Sequence, residues 1–113
     1  MQRVVIKMNL TAAGAANLEL LPQFCDMVVR LWEKAGGELE LFDITTGSSD
    51  LIACGSFPSS LHALQFSAAL SSDGYVDTDT SYSVSHRDAS DVKNMLPLVH
   101  GTLTPEKKLD QES

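Results

Sequence analysis

Basic residues are scarce in this chain. Eight Lys and Arg stand against fifteen Asp and Glu among 113 residues, a formal net charge of −7. Surfaces that hold nucleic acid cluster Lys and Arg against the phosphates, so a nucleic-acid partner is excluded. No apolar run approaches the ~20 residues needed to cross a bilayer, and a membrane partner is excluded with it. Cysteine is nearly absent: Cys25 and Cys54 are the whole thiol inventory. Two thiols make no disulfide framework, and no further ligands stand near them at a metal-binding spacing, so both read as small buried hydrophobes. Met1-Gln2-Arg3-Val4 opens no apolar stretch with a small-residue cleavage site. A secretory leader is therefore not expected, and a reduced cytoplasmic setting is.

What is present suffices for one domain. Apolar residues make up 43% of the chain, and a domain of this length hides roughly two-thirds of the surface its unfolded chain exposes. Residues 1–100 read as that single domain. The polar residues 101–113, ending Thr104-Pro105-Glu106-Lys107-Lys108-Leu109-Asp110-Gln111-Glu112-Ser113, read as a tail.

The apolar pattern alternates between the two regular periods. Val4, Ile6, Met8 and Leu10 against Val5, Lys7 and Asn9 have period two, a half-buried strand over 3–10. Thr11 can cap a short turn that Gly14 loosens. Pro22 marks the first turn of a helix whose stripe is Leu21, Phe24, Cys25, Val28, Leu31, Trp32 and Ala35, stopped by Gly36-Gly37. Strands follow over 38–44 and 50–57, and the short polar turn between them makes them an antiparallel hairpin. The second of these is almost continuously apolar or small, the pattern of a central strand covered on both faces. Pro58-Ser59-Ser60 opens a second helix with a serine cap, its inner face expected at Leu61, Leu64, Gln65, Ala68 and Ala69, with Phe66 and Leu70 nearby. Strand four runs over 75–84, with Val76, Thr78, Thr80, Tyr82 and Val84 alternating against Asp77, Asp79, Ser81 and Ser83. A short helix from Asp88 to Leu96 closes the series before Pro97. The order βαββαβ plus a short C-terminal helix is the ferredoxin-like α+β plan: a four-stranded antiparallel sheet with both main helices on one face.

Three short motifs carry a resemblance within this plan. Thr11-Ala12-Ala13-Gly14 closes the first strand as a T-x-x-G element. Gly47-Ser48-Ser49-Asp50 fills the hairpin turn, and Gly74-Tyr75-Val76-Asp77-Thr78-Asp79-Thr80 opens the last strand as G-x-V-x-T-x-T. In their order and spacing they resemble the GYD-domain proteins, small bacterial and archaeal domains, over about Val4 to Met95. The G-x-Y-D motif that gives the family its name has Ser49 here in place of the tyrosine. The resemblance implies a ferredoxin-like fold and self-association. It transfers no reaction and no catalytic residue.

Helices on one face leave the other face of the sheet bare, and a bare sheet invites a cover. By analogy of shape, two such faces pack into a dimeric α/β barrel with a pocket between the sheets. The bare face is expected to carry Val5, Lys7 and Asn9 from strand one, beside Asp77, Asp79 and Ser81 from strand four. Lys7 then stands opposite Asp77 or Asp79. Lys7, Asn9, Asp77 and Asp79 are the candidate ligand residues, with Lys7 as charge anchor and Asp79 as acid or base. His86, beyond the end of strand four, joins them as the histidine best placed for a general base. The simpler alternative is a solvated face with a surface ion pair worth ~1 kcal/mol or less.

The remaining candidates are weaker. His62 is expected to face solvent, and His100 falls near the tail; none of the three histidines has a second ligand at metal spacing. Ser48-Ser49-Asp50 lacks a nucleophile elbow and reads as a turn in which Asp50 bonds the loop amides. Asp77 and Asp79 would point the same way about 6.6 Å apart, too few oxygens for a calcium site. Trp32 and Tyr82 read as core or interface aromatics. No catalytic residue, metal or cofactor is assigned. The favoured reading is a homo-oligomer, a self-associating module that binds a small molecule between its sheets. The alternative is a cofactor-independent enzyme, an isomerase, cyclase or monooxygenase acting on an aromatic or polyketide-like substrate. A metal-binding regulatory domain has no support in ligand spacing.

Overall fold

The computed structural model describes residues 1–93. The described residues divide into two compact units, Met1–Ser83 and a second that begins at Val84. In the first, strand β1 (Gln2–Leu10) leads into a one-turn helix α1 (Ala12–Ala16), a 3-10 turn (Leu18–Leu20) and helix α2 (Leu21–Lys34). The hairpin β2 (Glu38–Ile44) and β3 (Leu51–Phe57), helix α3 (Ser60–Ser72) and strand β4 (Val76–Ser83) complete it. The strands pair antiparallel in the order β2-β3-β1-β4. This is the ferredoxin-like arrangement. In the second unit, Ser85 caps a 3-10 turn (His86–Asp88) by accepting from the Arg87 N–H, and a short helix α4 (Ala89–Val92) follows. The helix expected over 88–96 is thus present as far as residue 92; positions 94–96, His100 and the tail lie outside the described residues.

The core lies between the helices and one face of the sheet. β1 contributes Val4, Ile6 and Met8, β3 contributes Leu51, Ala53 and Phe57, and β4 contributes Val76. From α2 the stripe Phe24, Val28 and Trp32 is buried, as its spacing of four predicts. Trp32 is the centre: its ring stacks on Phe57 with centroids 4.3 Å apart and meets the edge of Phe66 at 5.0 Å. Its indole N–H donates to the Ser56 carbonyl at 3.1 Å, satisfying the ring's one polar atom in the interior. Two glycines make room for it, since a Cβ on Gly37 or Gly55 would run into the indole.

Two expectations are corrected. Helix α3 turns Ala63, Phe66, Ser67 and Leu70 inward, while Leu61 and Leu64 are about 60% exposed. The helix is apolar around most of its circumference, so hydropathy alone assigns it no inner face. The small side is selected by β4: Ser67 bonds the Thr80 hydroxyl at 2.6 Å, and Ser71 bonds Thr78 at 3.1 Å. Strand β3 is central, but only its helix-facing side is fully covered; Ile52 and Cys54 on the other side stay half-exposed. Its apolar pattern reports two faces suited to burial, of which this chain covers one.

Candidate functional site

The open face of the sheet is set by register. Strand alternation turns Arg3, Val5, Lys7 and Asn9 of β1 away from the core. Lys7 lies directly opposite Asp79 on β4, and Asn9 opposite Asp77. On the other side Lys7 faces Ile52 and Val5 faces Cys54. A bulge between Leu39 and Leu41 in β2 brings Leu41 opposite Cys54 and Asp43 opposite Ile52. The face therefore has an apolar centre of Val5, Ile52, Cys54 and Leu41, bordered by charge. At the border Arg3 reaches both carboxylate oxygens of Glu40 at 3.2 Å. This is the salt bridge among the described residues; Lys7 and Asp79, though paired in register, do not close to within 4 Å.

The short motifs converge at one end of the sheet. The Thr11 hydroxyl accepts the Gly14 N–H at 3.0 Å, capping α1, and donates to the Gly74 carbonyl. The Thr11 N–H donates to the Tyr75 carbonyl at 3.1 Å. Gly14 is buried against that same carbonyl, where a Cβ would collide with the oxygen. Close approach, rather than a loosened turn, is its role. Asp50, the last residue of the hairpin motif, accepts the Leu10 N–H at 2.8 Å through Oδ2. Its own N–H donates to the Met8 carbonyl and to Asn9 Oδ1. The Ser49 carbonyl accepts from the Thr45 hydroxyl at 2.7 Å. These contacts tie the end of β1 to the turn before β3 and to the start of β4. Asp50 was expected to bond its own loop's amides; its carbonyl does accept the Thr45 N–H at 2.8 Å, while its side chain reaches the neighbouring strand. No local pattern announces such a bond, because its partners are 40 residues apart.

Of the candidate ligand residues, Lys7, Asn9, Asp77 and Asp79 come together on the open face, and Asn9 is already engaged by Asp50. His86 is exposed in the 3-10 turn of the second unit. His62 is half-buried rather than free in solvent, its Nδ1 at 2.7 Å from the Ser59 hydroxyl that caps α3. Among the described residues no three His, Cys, Asp or Glu side chains gather as metal ligands, and no helix is long and apolar enough to cross a membrane. Burial pushes the Cys25 thiol up, and the Asp26 carboxylate adds to the rise. Among the described residues, clefts of about 300, 230 and 210 Å³ open among the helices and along their margins with β2 and β4.

A one-sided antiparallel sheet, locked at one end by a motif-built joint and offering a charge-bordered apolar face, defines a small ferredoxin-like α+β module. No curated protein matches the chain. The family model of the GYD domain matches residues 5–92, and the chain belongs to the GYD domain family.

Proposed function

We propose that the chain is a self-associating module whose open sheet face packs on the same face of a second copy, in a dimeric α/β barrel-type assembly. The observation that carries this reading is the composition of the central strand. β3 turns Ile52 and Cys54 toward the open face, beside Val5 and Leu41, where a solvated face would carry polar residues. Edge-to-edge pairing is the less suited mode. The β2 edge is bulged and bears Glu38, Glu40 and Asp43, and the β4 edge bears Asp77 and Asp79. The area is adequate. Four strands about 4.8 Å apart and about 25 Å long give roughly 500 Å² in projection, and side-chain relief raises the accessible area toward the ~800 Å² per partner of a stable dimer.

In that assembly Lys7 and Asp79 stand at the border of the contact as a polar seat for a small molecule. Support comes from their direct register and from the absence of an ion pair closing them off, among the described residues. Light scattering on the full chain at tens of micromolar tests the association. The expected mass is at least twice the 12.2 kDa of one chain. Val5→Asp, which places a charge at the centre of the face, is expected to return the monomer with unchanged circular dichroism. A monomeric wild-type chain would overturn the proposal.

A further inference from the structure

The largest of the three clefts lies away from the open sheet face. It is about 300 Å³, at the small end of ligand-binding cavities. Its lining is Leu20, Gln23, Phe24, Met27, Asp73 and Tyr75. The wall is aromatic: Phe24 and Tyr75 pack with centroids 4.9 Å apart at 33°. The Tyr75 phenol is fixed by donating to the Asn17 carbonyl at 3.1 Å, so the wall is held before anything binds.

Asp73 is the one formally charged side chain in the lining, and the N-terminus of α2, from which Leu20, Gln23 and Phe24 line the cleft, adds a partial positive charge. None of its lining residues is basic. Asp73 is the exposed C-cap of the 13-residue helix α3, where the helix ends in partial negative charge. Its carboxylate takes no hydrogen bond among the described residues, and Gly74, at φ +74°, turns the chain immediately after it. Packing lifts the Tyr75 phenol above its ordinary value, and the Glu19 carboxylate adds to the rise. Aromatic faces attract cations, and an apolar wall beside a carboxylate suits a ligand with a greasy body and a positive head.

We infer that this cleft is a binding site for a small organic ammonium ion with an aromatic or aliphatic body. The body lies against Phe24, Met27 and Leu20, and the ammonium sits between the Asp73 carboxylate and the Tyr75 ring. The inference is independent of the sheet-face reading, because none of the lining residues belongs to the open face.

Two probes of similar size separate charge from shape: phenethylammonium and the neutral 2-phenylethanol, each titrated into the isotope-labelled full chain. Backbone amide shifts are expected to cluster at Leu20, Met27, Asp73 and Tyr75, with phenethylammonium binding about fivefold more tightly, the scale of one exposed charge contact. Asp73→Asn, a surface substitution, is expected to remove that difference by weakening phenethylammonium. Equal affinities for the two probes, shifts scattered over the surface, no saturable shift at millimolar probe, or a preference that survives Asp73→Asn would each overturn the assignment.

Discussion

Gly14 and Gly47 make different demands on a mutation. Gly14 sits against the Tyr75 carbonyl, and a methyl group there displaces backbone rather than a flexible side chain. Gly47 has open space around it but a φ of +104°, so only conformational strain opposes a side chain. Gly14→Ala is expected to cost about 2–3 kcal/mol, the scale of overpacking a close contact, and Gly47→Ala about 1 kcal/mol. Urea unfolding of the two variants reads the difference directly, and equal losses would contradict the close-approach role of Gly14. Asp50 is the second residue with a defined structural task. Asp50→Ala leaves the Leu10 N–H without its acceptor, an expected loss of about 1–2 kcal/mol with faster hydrogen exchange at the Leu10 amide. Cys25 supplies a pH-dependent readout. Its thiol is raised from the ordinary value of 9.0 by burial and by Asp26, so the folded chain disfavours the thiolate. A raised group lends stability that is complete below its unfolded pKa and is lost as pH climbs through the folded one, here an alkaline window above about pH 9. At pH 8 iodoacetamide is expected to alkylate Cys25 more slowly in the folded chain than in urea; equal rates would show that burial does not control the thiol.

At the scale of elements, legibility followed the strength of the local period. Helix α2 was readable because its apolar residues lie on one stripe and its charged residues lie off it. The four strands and the placing of Lys7 opposite Asp77 or Asp79 were readable because alternation assigns a face to each residue and the βαββαβ order makes β1 and β4 neighbours; the register selects Asp79. Helix α3 was not. Leu61 and Leu64 outweigh Ala63 and Ser67 in hydropathy, yet the smaller pair faces the sheet, because close packing over β4 and two hydroxyl bonds decide the rotation. The Thr11–Tyr75 and Asp50–Leu10 bonds join segments 64 and 40 residues apart, so only topology brings them together. The rotation of α3 yields a direct comparison. Leu64→Glu is expected to change stability by no more than about 0.5 kcal/mol, whereas Phe66→Ala, which removes a ring packed on Trp32 and Phe57, costs about 3–5 kcal/mol. Denaturant unfolding followed by Trp32 fluorescence measures both. A large loss from Leu64→Glu would restore the hydropathy-based face.

For the whole molecule, the proposed association would link stability to protein concentration. If the open face is buried only when two chains meet, unfolding the dimer releases two particles, and stability rises with protein concentration. The increment is half of RT ln 10 per chain for each tenfold step, about 0.7 kcal/mol, which moves the midpoint of a chain this size by about 3–5 °C. The wild-type melting temperature is therefore expected to climb by that amount per decade between about 1 and 100 µM. In Val5→Asp the climb disappears. The variant also loses some β-propensity in β1, which lowers its melting temperature at every concentration. The slope against concentration is the discriminating quantity, since a purely intramolecular defect shifts the line without flattening it. Leu64→Glu, on the far side of the helices, is expected to keep the wild-type slope. A wild-type slope of zero, with Ile52 and Cys54 still at the centre of an uncovered face, would mean that the apolar pattern of β3 serves something other than a second copy of the chain.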